Sequence, residues 1–275
     1  MGVAIRMCLM RLFNGRHDGA CGGMDLREKT RPGSPGLQDR PADFPLHRVF
    51  LFSARIFRSY MAGEKRDFNT AAATWDQKTH RVRMANDVAR AILGTLRPGP
   101  DTDVLELGSG TGLVTLALQP HAGSVTAIDS SPGMLAELEK KIAAQGITNV
   151  RTRCVDLEKD DLPGPFDLAA SSMTFHHIKD TDRLIGRIFG ILKPGGKIAI
   201  ADLDSDEGKF HESNEGVFHF GFDRYLLRKS FEAAGFVNVR NRTAAIVQKP
   251  GPDGGVRTFT VFLMTGEKPG RGREG

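Results

Sequence analysis

Three glycines and three carboxylates carry most of the chemistry this chain can do. Gly108, Gly110 and Gly112 fall in Val104–Leu113 (VLELGSGTGL), between an apolar run and a helical one. A tight turn there brings backbone close to a ligand, and the helix start offers free N–H groups. Dinucleotide proteins hold pyrophosphate on such a turn, with the spacing G-x-G-x-x-G. Here position 113 is leucine and the spacing is G-x-G-x-G. Glu106 stands two residues before the first glycine. Its charge repels pyrophosphate and suits a ligand bearing an ammonium and a sulfonium. Asp129 ends the next apolar run, 23 residues past Glu106. A carboxylate there can accept both hydroxyls of a ribose. Asp156, in Cys154-Val-Asp-Leu157, sets an acceptor beside a backbone N–H, the pair that reads an adenine edge.

Histidines are the candidates for moving a proton. His176 and His177 lie in Met173-Thr-Phe-His-His-Ile178. His211 and His219 lie in Phe210–Arg224, where Phe218, Phe220 and Phe222 alternate with His219 and Gly221. The expected catalytic set is His176, His177 and His219, acting on a substrate proton. His211, His219 and Asp223 match no known metal-ligand spacing, and no metal is expected. Cys8, Cys21 and Cys154 form no C-x-x-C pair. An odd count of scattered thiols fits a reducing compartment, and a cytoplasmic location is expected.

These residues need a scaffold that gathers them at one edge. Asp103–Leu107, Ser124–Ile128, Val150–Val155, Phe166–Ser171 and Lys197–Leu203 read as short apolar strands. Helical patterns over Leu113–Leu118, Pro132–Gln145 and Thr181–Leu192 alternate with them. Ser131 and Pro132 read as N-cap and first helical residue, and Gly146 as the stop. Ala71–Leu96 reads as one helix ahead of the first strand, and Asp223–Ala234 as one after the fifth. This alternation predicts right-handed crossovers and a parallel sheet. Val237–Val247 and Arg257–Thr265 have no helix between them, so a hairpin and one antiparallel pair are expected.

The net charge of +5 is unevenly placed. Residues 1–60 hold ten Lys/Arg against five acids, and the rest of the chain balances to zero. A basic pI therefore says little about a nucleic-acid partner for the folded part. Residues 1–60 read as a disordered basic leader or a non-native extension, with only Val49–Phe57 apolar enough for local structure. A mitochondrial address follows if that leader is a genuine targeting peptide. Residues 269–275 read as a disordered tail. No apolar run approaches the roughly 18 residues of a membrane span.

The glycine turn, Asp129, Asp156, Phe166–Ser172 and Leu192-Lys-Pro-Gly-Gly-Lys197, in this order, resemble the class I, Rossmann-like S-adenosylmethionine-dependent methyltransferases, closest to their small-molecule branch. The resemblance runs from about Phe68 to Lys268, within a domain read as 61–268. It implies a three-layer α/β/α sandwich around a seven-stranded sheet of order 3-2-1-4-5-7-6, with strand 7 antiparallel. It implies that Glu106, Gly108, Ser109, Gly110 and Gly112 lie near the methionine part of the cofactor. Asp129 would serve the ribose, Asp156 with Leu157 the adenine, and Ser130 and Met134 would also bind the cofactor. Ser171 or Ser172 would lie against the cofactor, and Phe68–Asp76 resembles the helical lid of the branch. The Asn/Asp-Pro-Pro-aromatic motif of amino-directed nucleic-acid methylation is replaced by Ser171-Ser-Met-Thr174. Direct transfer to a small-molecule acceptor is therefore expected, with no nucleic-acid or membrane partner. The competing readings are a non-catalytic S-adenosylmethionine-binding module and a nucleotide-cofactor oxidoreductase.

Overall fold

Strand and helix alternate through most of the chain, and both sides of every central strand are apolar. The computed structural model describes residues 67–251 and 254–270. The expected leader, the Val49–Phe57 stretch and most of the expected tail lie outside the described residues. After a 3-10 turn at Ala72–Gln77 come α1 (Thr79–Leu96), β1 (Asp103–Leu107), α2 (Leu113–Leu118), β2 (Ser124–Asp129) and α3 (Pro132–Gln145). Then follow β3 (Val150–Cys154), β4 (Phe166–Ser172), α4 (Thr181–Ile191), β5 (Leu192–Leu203), α5 (Arg224–Ala233), β6 (Val237–Pro250) and β7 (Val256–Glu267).

The seven strands form one sheet in the order β3-β2-β1-β4-β5-β7-β6. β7 runs antiparallel to β5 and β6, and the other neighbours are parallel. This is the expected order and direction. Successive residues of β1 face opposite layers, Val104 toward α1 and α2, Leu105 toward α4 and α5. Helices cover both faces, so the central strands are apolar on both sides rather than alternating. Val88, Ile92 and Leu118 fill one layer, and Ile185, Ile188 and Phe231 the other. Burying each such side chain contributes ~1.5–3 kcal/mol.

Local signals fix the helix ends. The Ser131 hydroxyl accepts from the Met134 amide at 3.2 Å, Pro132 opens α3, and Gly146 closes it at φ 63°. Asp223 caps α5 by accepting from the amides of Tyr225 and Leu226. Two expectations need correction. Ala71–Leu96 is not one helix, because Lys78 is extended (φ −81°, ψ 98°) and separates the 3-10 turn from α1. The break lets the turn fold over the sheet edge while α1 packs on its face. The fifth strand, expected over Lys197–Leu203 after a helix ending at Leu192, begins at Leu192 instead, where Leu192 pairs with Phe166. Among the described residues, no helix is long and apolar enough to cross a membrane.

Candidate active site

The order of the strands reverses between β1 and β4, and the crevice of a parallel sheet opens at that switch. Leu107, at the end of β1, lies beside Ile128 and Ser171. The chain then turns through the glycines, with the amides of Gly108 and Ser109 both donating to the Ile128 carbonyl, at 2.8 and 3.0 Å. Gly108 has φ +70°, and a Cβ there would lie 2.1 Å from the Thr174 hydroxyl. Gly112 passes against α3, where a Cβ would lie 2.2 Å from Leu138. Gly110 faces open space, and its amide donates to Asp129 at 2.8 Å. The first and third glycines thus permit packing, and the middle one presents backbone to a cavity.

The space there, counted with its open mouth, is about 960 Å3. Of the expected cofactor residues it is lined by Glu106, Gly108, Ser109, Gly110, Asp129, Ser130, Met134, Leu157 and Ser172. Glu106 is 2% exposed and accepts a hydrogen bond from the Thr115 hydroxyl. Burial, reinforced by the charge of Asp129 and partly offset by Thr115, pushes its pKa up to about 8. Among the described residues no cation pairs with it. The Ser109 hydroxyl is buried with no hydrogen-bond partner among the described residues. A buried carboxyl and an unmatched hydroxyl facing one cavity are what a polar, cationic ligand would satisfy. Asp129 is held square to the cavity by the amides of Gly110 and Ser131, each 2.8 Å away on a different oxygen.

Three expected contacts are placed elsewhere. Ser171 is buried and donates to the Leu107 carbonyl at 2.8 Å, strapping β4 to β1. Gly112 serves the α2–α3 packing described above. The Asp156 carboxylate accepts from the Glu158 amide at 3.0 Å and pairs with Lys159 at 3.4 Å, and it does not line the cavity. Leu157 supplies the wall instead.

The segment resembling a lid closes the outer side. Phe68 and Trp75 pack edge to face with centroids 5.8 Å apart, and both line the cavity. Asp76 accepts from the Thr111 hydroxyl at 2.6 Å and from Lys141, which also donates to the Thr111 carbonyl. Asn69 accepts from the Ser131 hydroxyl and the Gly133 amide, both at 2.8 Å. The lid is thereby tied to the same loops that shape the cavity.

A second chamber of about 740 Å3 adjoins the first and shares Phe68, Trp75, Arg81, Met84, Met173 and His177 with it. His176 lines only this chamber. Its Nδ1 lies 2.7 Å from Asp202, which is fully buried and also accepts the His176 amide at 3.2 Å. The charge and hydrogen bond of His176 outweigh burial and hold the Asp202 carboxyl below its ordinary value. An ionised Asp202 only accepts, so Nδ1 carries the proton. Nε2 is buried in the chamber wall with no hydrogen-bond partner among the described residues. His177 donates from Nδ1 to the Gly216 carbonyl at 2.6 Å, and the two imidazoles lie 4.1 Å apart.

His219 departs from its expected place. It donates from Nε2 to the Ile178 carbonyl at 2.8 Å, stacks on Phe222, and lines neither cavity. The amides of Phe218 and His219 both donate to the His176 carbonyl. The aromatic segment after β5 therefore braces the turn that carries the histidine pair. Arg81 and Lys249, absent from the expected site, line the second chamber. They are 168 residues apart, and no local spacing links them.

The strand order and the crevice at the glycine turn are those of the Rossmann-like methyltransferase fold. Residues 104–196 match the family model described as methyltransferase domain. The chain is 34% identical over 131 residues to trans-aconitate 2-methyltransferase of Deinococcus radiodurans, covering 46% of this chain and 48% of that protein. It is 31% identical over 169 residues to malonyl-[acyl-carrier protein] O-methyltransferase of Bacillus anthracis, covering 60% and 59%. The matches thus span about half the length of the curated relatives. In fold it is similar to phosphoethanolamine N-methyltransferase 2 of Haemonchus contortus, solved with S-adenosyl-L-methionine. That likeness has a TM-score of 0.52 and 21% identity, over 66% of this chain and 52% of the other.

Proposed function

We propose that the chain uses S-adenosylmethionine to methylate a small-molecule acceptor, with the donor in the first cavity and the acceptor in the adjoining chamber. The observation that carries the reading is Glu106, a buried carboxyl facing a cavity with no cation beside it among the described residues. The names of the aligned relatives, methyltransferases of trans-aconitate and of malonyl carried on an acyl-carrier protein, favour a small organic group as acceptor. We propose a cytoplasmic location, or a mitochondrial one if residues 1–60 are a genuine leader, and an acceptor other than nucleic acid.

When bound, S-adenosylmethionine supplies a methyl group already activated on a sulfonium. The protein's own part is chiefly alignment, which accounts for much of the rate of such a displacement. Glu106 takes the ammonium, Asp129 takes the ribose hydroxyls, and Ser109 and Gly110 supply polar contacts at the turn. Leu157 and Met134 give the adenosine an apolar wall. Phe68 and Trp75 cover the junction of the two chambers and keep water from it. His176, oriented by Asp202, accepts at Nε2 the proton of an acceptor that arrives as a hydroxyl or an ammonium. His177 stands at the junction.

Thermal shifts with S-adenosylhomocysteine and with NAD test the donor. Stabilisation by the first and not by the second is expected, and the reverse would return the oxidoreductase reading. Transfer of an isotope-labelled methyl to a small-metabolite extract tests the reaction. Donor binding without transfer to any metabolite would favour the non-catalytic module.

A further inference from the structure

We infer that the second chamber is an anion-recognition site: the acceptor carries a carboxylate or phosphate held by Lys249, Lys78 and Arg81. The inference rests on the donor reading above and names the substrate class of that same site. The three cations come from two distant elements. Lys78 and Arg81 stand at the start of α1, and Lys249 stands near the end of β6. His80 lies between the first two and lines the same chamber.

Among the described residues lining the chamber, Glu212 is the one carboxylate. Its side chain is 91% exposed and lies 3.8 Å from Lys78. Such a pair is screened by water, and Lys249 forms no ion pair among the described residues. The cations are fixed rather than splayed into solvent. Lys249 is half-buried, donates to the Phe210 carbonyl at 2.7 Å, and sits 3.7 Å above the Phe210 ring centre. The Arg81 guanidinium lies 3.6 Å over the ring of Trp75. Burial lowers the Lys249 pKa, the charges of Arg81 and Lys78 lower it further, and Glu212 and, more weakly, Asp206 act the other way. His80 is lowered by burial and then by the charges of Lys249, Arg81 and Lys78. These groups feel one another, and an anion between them relieves the repulsion.

Arg81 lines both cavities and is also within reach of the donor's own carboxylate. Lys78, His80 and Lys249 line only the second, so the donor does not account for them. The anionic group therefore belongs against the cations, and the atom to be methylated belongs against His176. Phe68, Trp75 and Phe210 supply an apolar wall for the carbon skeleton between.

Trp75 is the single tryptophan of the sequence and lines both cavities, so its fluorescence reports on each. The full chain, saturated with S-adenosylhomocysteine, is titrated with benzoate and benzamide, succinate and succinamide, phenyl phosphate and phenol. At least one anion is expected to bind tenfold or more tightly than its neutral partner, and the arm that does so separates carboxylate from phosphate. Lys249→Gln is expected to reduce that preference at least fivefold while S-adenosylhomocysteine still binds. Lys78→Gln, at a half-exposed position, is expected to reduce it less. If S-adenosylhomocysteine binds and no anion is preferred, or if both variants keep the full preference, the inference falls alone. If S-adenosylhomocysteine does not bind the wild-type chain, the donor reading falls and takes this one with it.

Discussion

Acidifying the solution from pH 7 to pH 6 is expected to weaken S-adenosylhomocysteine binding about ninefold, through a proton on Glu106. The Glu106 carboxyl is fully buried, and that burial is the main cause of a pKa near 8. Without ligand the group is therefore mostly protonated at pH 7. A ligand ammonium placed beside it favours the ionised form, so binding expels the proton. Below the pKa each pH unit adds about 1.4 kcal/mol to that step. The same shift bears on stability. The folded chain keeps a proton that the unfolded chain releases between about pH 4.5 and pH 8, so stability of the unliganded protein falls as pH rises through that window. Calorimetric titrations in two buffers of different ionisation enthalpy count the proton directly, and roughly 0.9 released per ligand is expected at pH 7. Glu106→Gln should abolish the release, flatten the pH dependence, weaken binding and raise the Tm of the unliganded protein above pH 8. A Kd constant from pH 6 to pH 7.5 with no proton released would refute the reasoning.

Asp129→Ala removes the acceptor for the Gly110 and Ser131 amides and for the ribose, and isothermal titration should show donor binding weakened by ~1–3 kcal/mol. Gly108→Ala drives a Cβ into Thr174 at a positive φ, and chemical denaturation should show a loss of ~1–3 kcal/mol. Asp202→Asn removes the ionised partner that fixes the His176 tautomer, so kcat should fall ~100-fold or more while S-adenosylhomocysteine affinity stays within about twofold. His176→Ala is the poorer probe, since it leaves Asp202 charged and unpaired in the interior at a cost of about 3–5 kcal/mol.

The sheet was legible because its signals are local. Ser131-Pro132 and Gly146 bracket one helix within 16 residues, and the apolar runs of β1, β2 and β4 need only their own composition. The absence of a helix between β6 and β7 was enough to predict their antiparallel pairing. The donor cavity was legible in part, since Glu106, the glycines and Asp129 sit at strand ends whose positions follow from that alternation. Side-chain direction was not legible. Ser171 and Ser172 are neighbours in one strand and face opposite ways, and the cavity takes only Ser172. His219 looked like a substrate residue because it sits among aromatics, and its actual use is a hydrogen bond to Ile178 across 41 residues. The cation cluster left no trace at all, because Lys78 and Lys249 meet only after β6 has been laid at the far edge of the sheet.

A crystal structure of the full chain with S-adenosylhomocysteine tests the central claim most directly. The account predicts the ammonium against Glu106, the ribose hydroxyls on Asp129, and the sulfur facing the chamber lined by His176 and Lys249. The ligand seated outside the Gly108–Gly112 crevice, or with its sulfur turned away from that chamber, would contradict it.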